Sequence, residues 1–278
     1  MVSPYLKNKG SAVRFCLWPL GFPLVIKKPG QESGHKTTII NMKKVFLVGA
    51  SSVIANSIIN NLKDDDKATK IINISRNPEF RNNSNYEYVE NYNNLGSQFN
   101  TYEPDKDDII ILAFAYLGKI GFENNFPVSL DIQNQKKVFD INFSQMSEAL
   151  NASINYFKNS GGKIIYLSSA AAYPVRLSNI PYGLSKKYID KLISKQRDYI
   201  KKFNINILSV RIGFVDTPIN KGRSKTPFSS TPEQVALAVK SALKKNKKII
   251  YVPKVLYLIT KLLMMFPKLT NYLDQKYN

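Results

Sequence analysis

At 278 residues with 44% hydrophobic content, the chain is long enough to bury one sizeable core, or a core with a small appendage, and too apolar to be disordered. Forty basic against twenty acidic residues give a formal charge of +20, which suits an anionic substrate, a membrane surface or nucleic acid, and equally a merely lysine-solvated exterior. No zinc-finger spacing, helix-turn-helix signature or RNP-like aromatic strand accompanies that charge, so nucleic acid is not expected as a partner.

The single Cys16, Trp18 and His35 all fall within residues 1–41, a stretch with four prolines and no sustained hydrophobic period. Met42 is expected to begin the folded domain, with residues 1–41 an irregular extension that need not belong to it. A secretory signal is the competing reading, but Arg14 and two prolines interrupt the apolar run and no small-residue cleavage site follows. One cysteine excludes an internal disulfide and favours a cytoplasmic setting. From Met42 onward there is no His or Cys, so thiol nucleophiles, His-based proton transfer and His- or Cys-containing metal sites are excluded there. Chemistry must rest on Ser, Tyr, Lys, Asp, Glu or a cofactor.

From there strands and helices alternate. The run 45–48 reads as a buried strand, followed by the turn Gly49-Ala50-Ser51-Ser52 and a helix marked by Ile54, Ile58, Ile59 and Leu62. That order places a helix N-terminus, with free N–H groups, where a pyrophosphate can sit. Further strands are predicted at 70–75, 86–90, 108–115, 161–169, 205–213 and 247–253. Helices are predicted at about 136–157, at 182–203, and at 231–245, where Thr231, Pro232 and Gln234 form an N-terminal capping pattern. The alternation predicts an α/β fold, a single doubly wound, mostly parallel sheet with helices on both faces and its ligand at the carboxyl ends of the strands.

Five Tyr-x-x-x-Lys pairs occur, so the spacing alone carries little: Tyr5/Lys9, Tyr102/Lys106, Tyr182/Lys186, Tyr257/Lys261 and Tyr272/Lys276. Tyr182 is the one that opens a long helix thirteen residues after a serine, Ser169, that ends a glycine-led strand. With "GASS" at 49–52, "DINFS" around Asn142 and "RIGFVDTPI" around Gly213 and Thr217, residues 42–253 resemble the short-chain dehydrogenase/reductase family, whose fold is Rossmann-like. The resemblance implies an NAD(P)-dependent oxidoreductase that moves a hydride between nicotinamide and a carbonyl or secondary alcohol. It implies Tyr182 as proton donor, Lys186 as the cation that stabilises its phenolate, Ser169 as hydrogen-bond donor to the substrate oxygen, and Asn142 as part of a water-linked proton relay. Gly49, Ser51, Ser52, Ile54, Arg76, Ala113, Ile212, Gly213 and Thr217, together with Tyr182 and Lys186, are the expected cofactor contacts. Helical geometry agrees with the main pair, because residues four apart project from one face, and a phenol with a pKa near 10 needs such a cation to work at neutral pH.

The chain departs from the family at two places. Val53 and Ala55 stand where the loop usually carries glycine; alanine is tolerated, whereas a β-branched side chain must point aside or lift the cofactor. Ala113, Phe114, Ala115 and Tyr116 replace the usual Asn-Asn-Ala-Gly, removing an asparagine that braces the sheet. At the tip of the second strand stands Arg76 and no acid, which favours NADP(H), with NAD(H) the less favoured alternative.

The segment after Thr217, with Lys221, Arg223 and Lys225, is expected to contact substrate and to suit a phosphate or carboxylate. Residues 254–278 form a hydrophobic and basic tail; its apolar stretch 255–267 is too short to span a bilayer and suits a core or dimer helix, or an amphipathic element on an anionic membrane surface. Similar tails in family members imply a lipid-linked or sugar-type envelope precursor as substrate, with the enzyme cytoplasmic and peripheral at the membrane. A homo-oligomer is expected by family analogy. The alternative reading, motivated by Val53 and the missing asparagine, is a non-catalytic cofactor-sensing or membrane-tethered interaction protein on the same fold.

Overall fold

A computed structural model describes residues 42–63, 69–124, 126–220 and 228–277; the expectations about residues 1–41 and about Lys221, Arg223 and Lys225 fall outside them. The chain runs β1 (Lys43–Val48), α1 (Val53–Leu62), β2 (Thr69–Ser75), β3 (Tyr86–Tyr88), α2 (Leu95–Phe99), β4 (Ile109–Leu112), then a two-stranded hairpin of β5 (Phe122–Glu123) and β6 (Phe126–Pro127). It continues through α3 (Ile132–Phe139), α4 (Met146–Phe157), β7 (Gly162–Ser169), α5 (Ile180–Lys201), β8 (Ile205–Ile212), α6 (Pro232–Lys244), β9 (Ile249–Val252), α7 (Leu256–Met265) and α8 (Pro267–Tyr277). Seven strands pair in the order β3-β2-β1-β4-β7-β8-β9, every neighbouring pair parallel. The predicted doubly wound α/β sheet is therefore present, and its strand order reverses between β1 and β4, which is where such sheets open a ligand crevice.

The strands read as continuous apolar runs because helices cover both faces. One core layer joins Phe46, Ile110 and Ile164 to Phe99, Leu150 and Ile193, contributed by α2, α4 and α5. The other joins Val45, Leu47 and Leu208 to Ile58, Val235 and Val239, from α1 and α6. Phe46 meets the rings of Phe99, Tyr102 and Tyr156 edge-on at 5.2–5.3 Å, and each such contact contributes about 0.5–1.5 kcal/mol beyond its buried area.

The opposite end of the sheet is tied by Asp108, fully buried just before β4. Its carboxylate accepts from Lys44 N at 2.7 Å and Tyr156 Oη at 3.0 Å, and pairs with Lys44 Nζ at 3.1 Å. Burial alone pushes this carboxyl up, and the Lys44 contacts oppose the shift.

Boundaries differ from the predictions at several places, three of them for a clear physical reason. The fourth strand stops at Leu112, because β1 has already ended at Val48 and residues 113–116 turn away over the crevice. The predicted helix at 136–157 begins earlier, at Ile132 behind an Asp131 cap, and is interrupted by a π-helical turn at Asp140–Gln145. The tail is two helices rather than one, since Pro267 lacks an amide and pushes Phe266 out of helical conformation, at φ −123° and ψ 73°. The predicted cap on α6 is present: Thr231 Oγ1 accepts from Gln234 N at 3.2 Å, and Gln234 Oε1 from Thr231 N at 3.0 Å.

Candidate active site

The carboxyl ends of β1, β2, β4, β7 and β8 surround a cavity of about 690 Å³, a size within the range of small-molecule and cofactor sites. Gly49 opens it. Its φ of +93° is a left-handed conformation that favours glycine, and a Cβ there would sit 2.8 Å from Phe114 N, so no larger residue fits between β1 and β4. Gly49 N and Ala50 N both donate to Ile74 O, at 2.9 and 3.1 Å, which folds the turn across the end of β2. Ser52 caps α1, its Oγ accepting from Ala55 N at 3.3 Å. Asn56, not singled out by sequence, donates from Nδ2 to Ala50 O at 2.8 Å and Ser52 O at 2.9 Å, so a side chain one turn inside α1 closes the loop from below.

Gly49, Ser51, Ser52 and Ile54 line the cavity, and so does Val53. The β-branched side chain stands 44% exposed at the first position of α1, where it forms part of the cavity wall. Across the crevice stand Ala113 and Ala115, and beside β8 stand Ile212, Gly213 and Thr217.

Arg76 lies at the far end with Asn77 and Glu90. Its Nη1 donates to Gln145 Oε1 at 3.2 Å, its guanidinium rests 4.8 Å from the Tyr92 ring centroid, and its Nε is buried without a protein partner. The group is thus held by the Gln145 contact and by two ring faces, Tyr92 and, at 6.0 Å, Phe114, with donor capacity left over. The exposed Glu90 on the same rim is an acid that the β2-tip argument did not consider.

At the centre, Ser169 ends β7 and its Oγ accepts from Ala171 N at 3.1 Å, which orients the hydroxyl and leaves its own proton to donate. Tyr182 lies in the first turn of α5. The helix begins two residues earlier than predicted, with Pro181 in its first turn, and approaches β7 closely: a Cβ on Gly183 would sit 2.8 Å from Ala171 O. One turn on, Lys186 is 2% exposed; its Nζ donates to Leu167 O at 3.0 Å and sits 5.1 Å from the Tyr166 ring centroid and 5.9 Å from that of Tyr182. Burial lowers this ammonium from its ordinary 10.5 to about 8, while the Asp190 carboxylate acts in the opposite sense. The lysine is therefore charged at neutral pH with little margin.

Asn142 is the expected site residue that does not line the cavity. It is fully buried in the π-helical turn, its Oδ1 accepting from Tyr116 N at 2.7 Å and its Nδ2 donating to Tyr116 O at 2.8 Å. Both contacts pin the side chain to Tyr116, away from the cavity lining. Its physical role is to brace residues 113–116 beyond β4, where the sequence departs from the family's asparagine.

Lining and chemistry fit a dinucleotide cofactor: backbone donors of a helix start at one end, a partly unsatisfied guanidinium at the other, and a tyrosine, serine and buried lysine between. Among the described residues, no group of three or more His, Cys, Asp or Glu is assembled for a metal ion.

Known proteins agree with this geometry. Residues 120–227 match the short chain dehydrogenase family model, a stretch that contains Ser169, Tyr182, Lys186 and Thr217. An uncharacterized oxidoreductase of Mycobacterium tuberculosis is 34% identical over 92 residues, which are 33% of this chain and 37% of that protein; the match spans little more than a third of that relative's length. An uncharacterized oxidoreductase of Staphylococcus epidermidis is 23% identical over 192 residues, 66% of this chain and 82% of the other. In fold, the chain is similar to a short chain dehydrogenase from Burkholderia cenocepacia solved with NADP, with a TM-score of 0.67 at 16% identity over 83% of this chain and 96% of that one. It is likewise similar to a gluconate 5-dehydrogenase from the same organism solved with NADP and tartrate, with a TM-score of 0.62 at 14% identity over 77% and 95%. In its ordered motifs, its parallel sheet and these matches, the chain is similar to the short-chain dehydrogenases, over residues 120–227 in sequence and over most of its length in fold.

Proposed function

We propose that this protein is an NADP(H)-dependent oxidoreductase that interconverts a carbonyl and a secondary alcohol. The observation that carries the reading is the convergence of Ser169, Tyr182 and the buried Lys186 on one cavity that also holds the Gly49 loop and Arg76. The cavity residues would hold a nicotinamide cofactor, whose chemistry there would be to supply or take up the hydride at the carbonyl carbon. Tyr182 Oη donates its proton to the carbonyl oxygen in reduction and takes it back in oxidation. Ser169 Oγ hydrogen-bonds the same oxygen and fixes it in place. The Lys186 ammonium stabilises the negative charge that forms on the phenol. Arg76 reaches the anionic group that distinguishes NADP(H) from NAD(H).

The proposed substrate is a lipid-linked or sugar-type envelope precursor, met at the cytoplasmic face of a membrane by a homo-oligomer. Support for the oligomer comes from α5, where Leu184, Tyr188 and Tyr199 are 43%, 50% and 58% exposed.

The test is a titration of purified protein with NADPH and NADH, read by the fluorescence of the reduced nicotinamide, followed by a carbonyl screen on parent and Tyr182→Phe. Tight NADPH binding retained in the variant, with turnover lost by more than about a hundredfold, is the expected result. Undiminished turnover in Tyr182→Phe would overturn the mechanism, and absence of binding by either nucleotide would favour the non-catalytic reading.

A further inference from the structure

The last two helices present a surface that the oxidoreductase chemistry does not use. Leu258, Leu262 and Met265 of α7 are 66%, 53% and 72% exposed, and fall at helical spacing on one face. Phe266, Leu269 and Tyr272 extend the patch at 50%, 45% and 59% exposure. Thr260 is the buried residue of α7, so the apolar content of this helix is not explained by the core behind it. An exposed apolar stretch of this kind marks an interaction site.

Charge identifies the partner. Between residues 254 and 276 the exposed ionised side chains are Lys254, Lys261, Lys268 and Lys276. The one carboxylate of that stretch, Asp274, is 3% exposed and turned inward, accepting from Ser178 N and Ser178 Oγ at 2.7 Å each. A second copy docked across a two-fold axis would bring one lysine set against another with no exposed acid between them. An anionic bilayer offers both what the lysines and what the leucines need. No helix among the described residues is long and apolar enough to cross a membrane, and α7, at ten residues, is about 15 Å long, half a hydrocarbon core.

We propose that the exposed face of α7 and the start of α8 docks on the surface of a bilayer containing acidic phospholipid, with α7 lying in the interfacial plane. This rests on the oxidoreductase reading for its purpose, because the same helix packs against a residue of the site. Leu256 packs against Gly213 so closely that a Cβ there would sit 2.5 Å from Leu256 Cδ1, and Gly213 lines the cavity. A substrate with a polar, carbonyl-bearing head on a lipid anchor would then reach Tyr182 without leaving the membrane.

The experiment is co-sedimentation of the full chain with phosphatidylcholine vesicles, with and without phosphatidylglycerol, comparing the parent with Leu258→Ser/Met265→Ser. The substitutions are exposed and leave the net charge unchanged, so they separate apolar insertion from general attraction of a +20 protein. The parent should bind the phosphatidylglycerol vesicles and weaken with salt; the variant should lose at least about tenfold in vesicle affinity while keeping its melting temperature and NADPH affinity. Equal binding by parent and variant, no binding by the parent, or a parent dimer in ultracentrifugation that the variant abolishes would each overturn the proposal. NADPH titration of the same samples keeps the two ideas apart: vesicle binding without nucleotide binding sinks the oxidoreductase reading alone, and the reverse sinks the docking surface alone.

Discussion

The Asp190 carboxylate accepts a 2.9 Å charge-assisted hydrogen bond from Arg211 Nε, joining helix α5 to strand β8 in a site where the two side chains are 1% and 14% exposed. Arg211 is held on its other side by Tyr251 Oη at 2.6 Å and stacks 3.9 Å from the Tyr173 ring centroid. Asp190 lies one turn beyond Lys186, as Lys186 lies one turn beyond Tyr182, so a single helix face carries phenol, ammonium and carboxylate in sequence.

Asp190→Asn should therefore change the pH dependence of catalysis. The carboxylate favours the charged form of Lys186, and its removal lets burial depress that group below about 8. Carbonyl reduction should already decline in the parent as pH rises through about 8, and in the variant the decline should begin at lower pH. A pH profile of kcat/KM checks this; an unmoved alkaline limb would contradict it. Breaking the buried pair should also cost about 3 kcal/mol of stability, read by denaturant melting.

Lys186→Met should separate stability from activity. A lysine whose folded pKa lies below its unfolded 10.5 pays for burial of its charge at low pH, a cost that is fully present below about 8 and relieved as pH rises from 8 to 10.5. A methionine of similar volume removes that cost, though it also removes the 3.0 Å bond to Leu167 O. The variant should be nearly inactive and melt about 2–4 °C higher than the parent at pH 7. A lower melting temperature would show that the hydrogen bond outweighs the desolvation.

Arg76→Ala should weaken NADPH binding by about ten- to a hundredfold and leave NADH within about threefold, since a hydrogen bond to a charged group contributes about 1.5–3 kcal/mol. Titration of both nucleotides checks this. Equal losses for both would assign Arg76 a packing role on Tyr92.

Asn56→Ala removes two contacts, to Ala50 O and Ser52 O, that close the Gly49 turn. About 1–2 kcal/mol of stability should be lost, together with affinity for both nucleotides alike. Unchanged nucleotide affinity would mean that the Ile74 carbonyl holds the turn without help.

What the sequence disclosed was local in character. Ser169, Tyr182 and Lys186 were legible because a strand end and one helical turn fix their spacing, and the apolar runs named five of the seven sheet strands closely. The third and fourth were named too, though they shorten to Tyr86–Tyr88 and Ile109–Leu112. Contacts between distant segments were not legible. Asp190 and Arg211 are twenty-one residues apart and meet through packing of α5 on β8, and nothing near Asn142 in sequence indicates that its side chain closes on Tyr116. The π-helical turn that carries Asn142 was hidden because its hydrophobic period continues the helices on either side. Val53, expected in the loop, is instead the first residue of α1 and stands in the cavity wall.

The two bonds from Ser178 to Asp274 have a consequence for how the protein is handled and how it is regulated. Ser178 stands four residues before Tyr182, so α8 is anchored to the segment that leads into the proposed proton donor. A fusion partner, protease cut or bilayer tilt that breaks these two bonds should loosen the segment before Tyr182. Assays on carboxyl-terminally tagged protein would then report the tag as much as the enzyme.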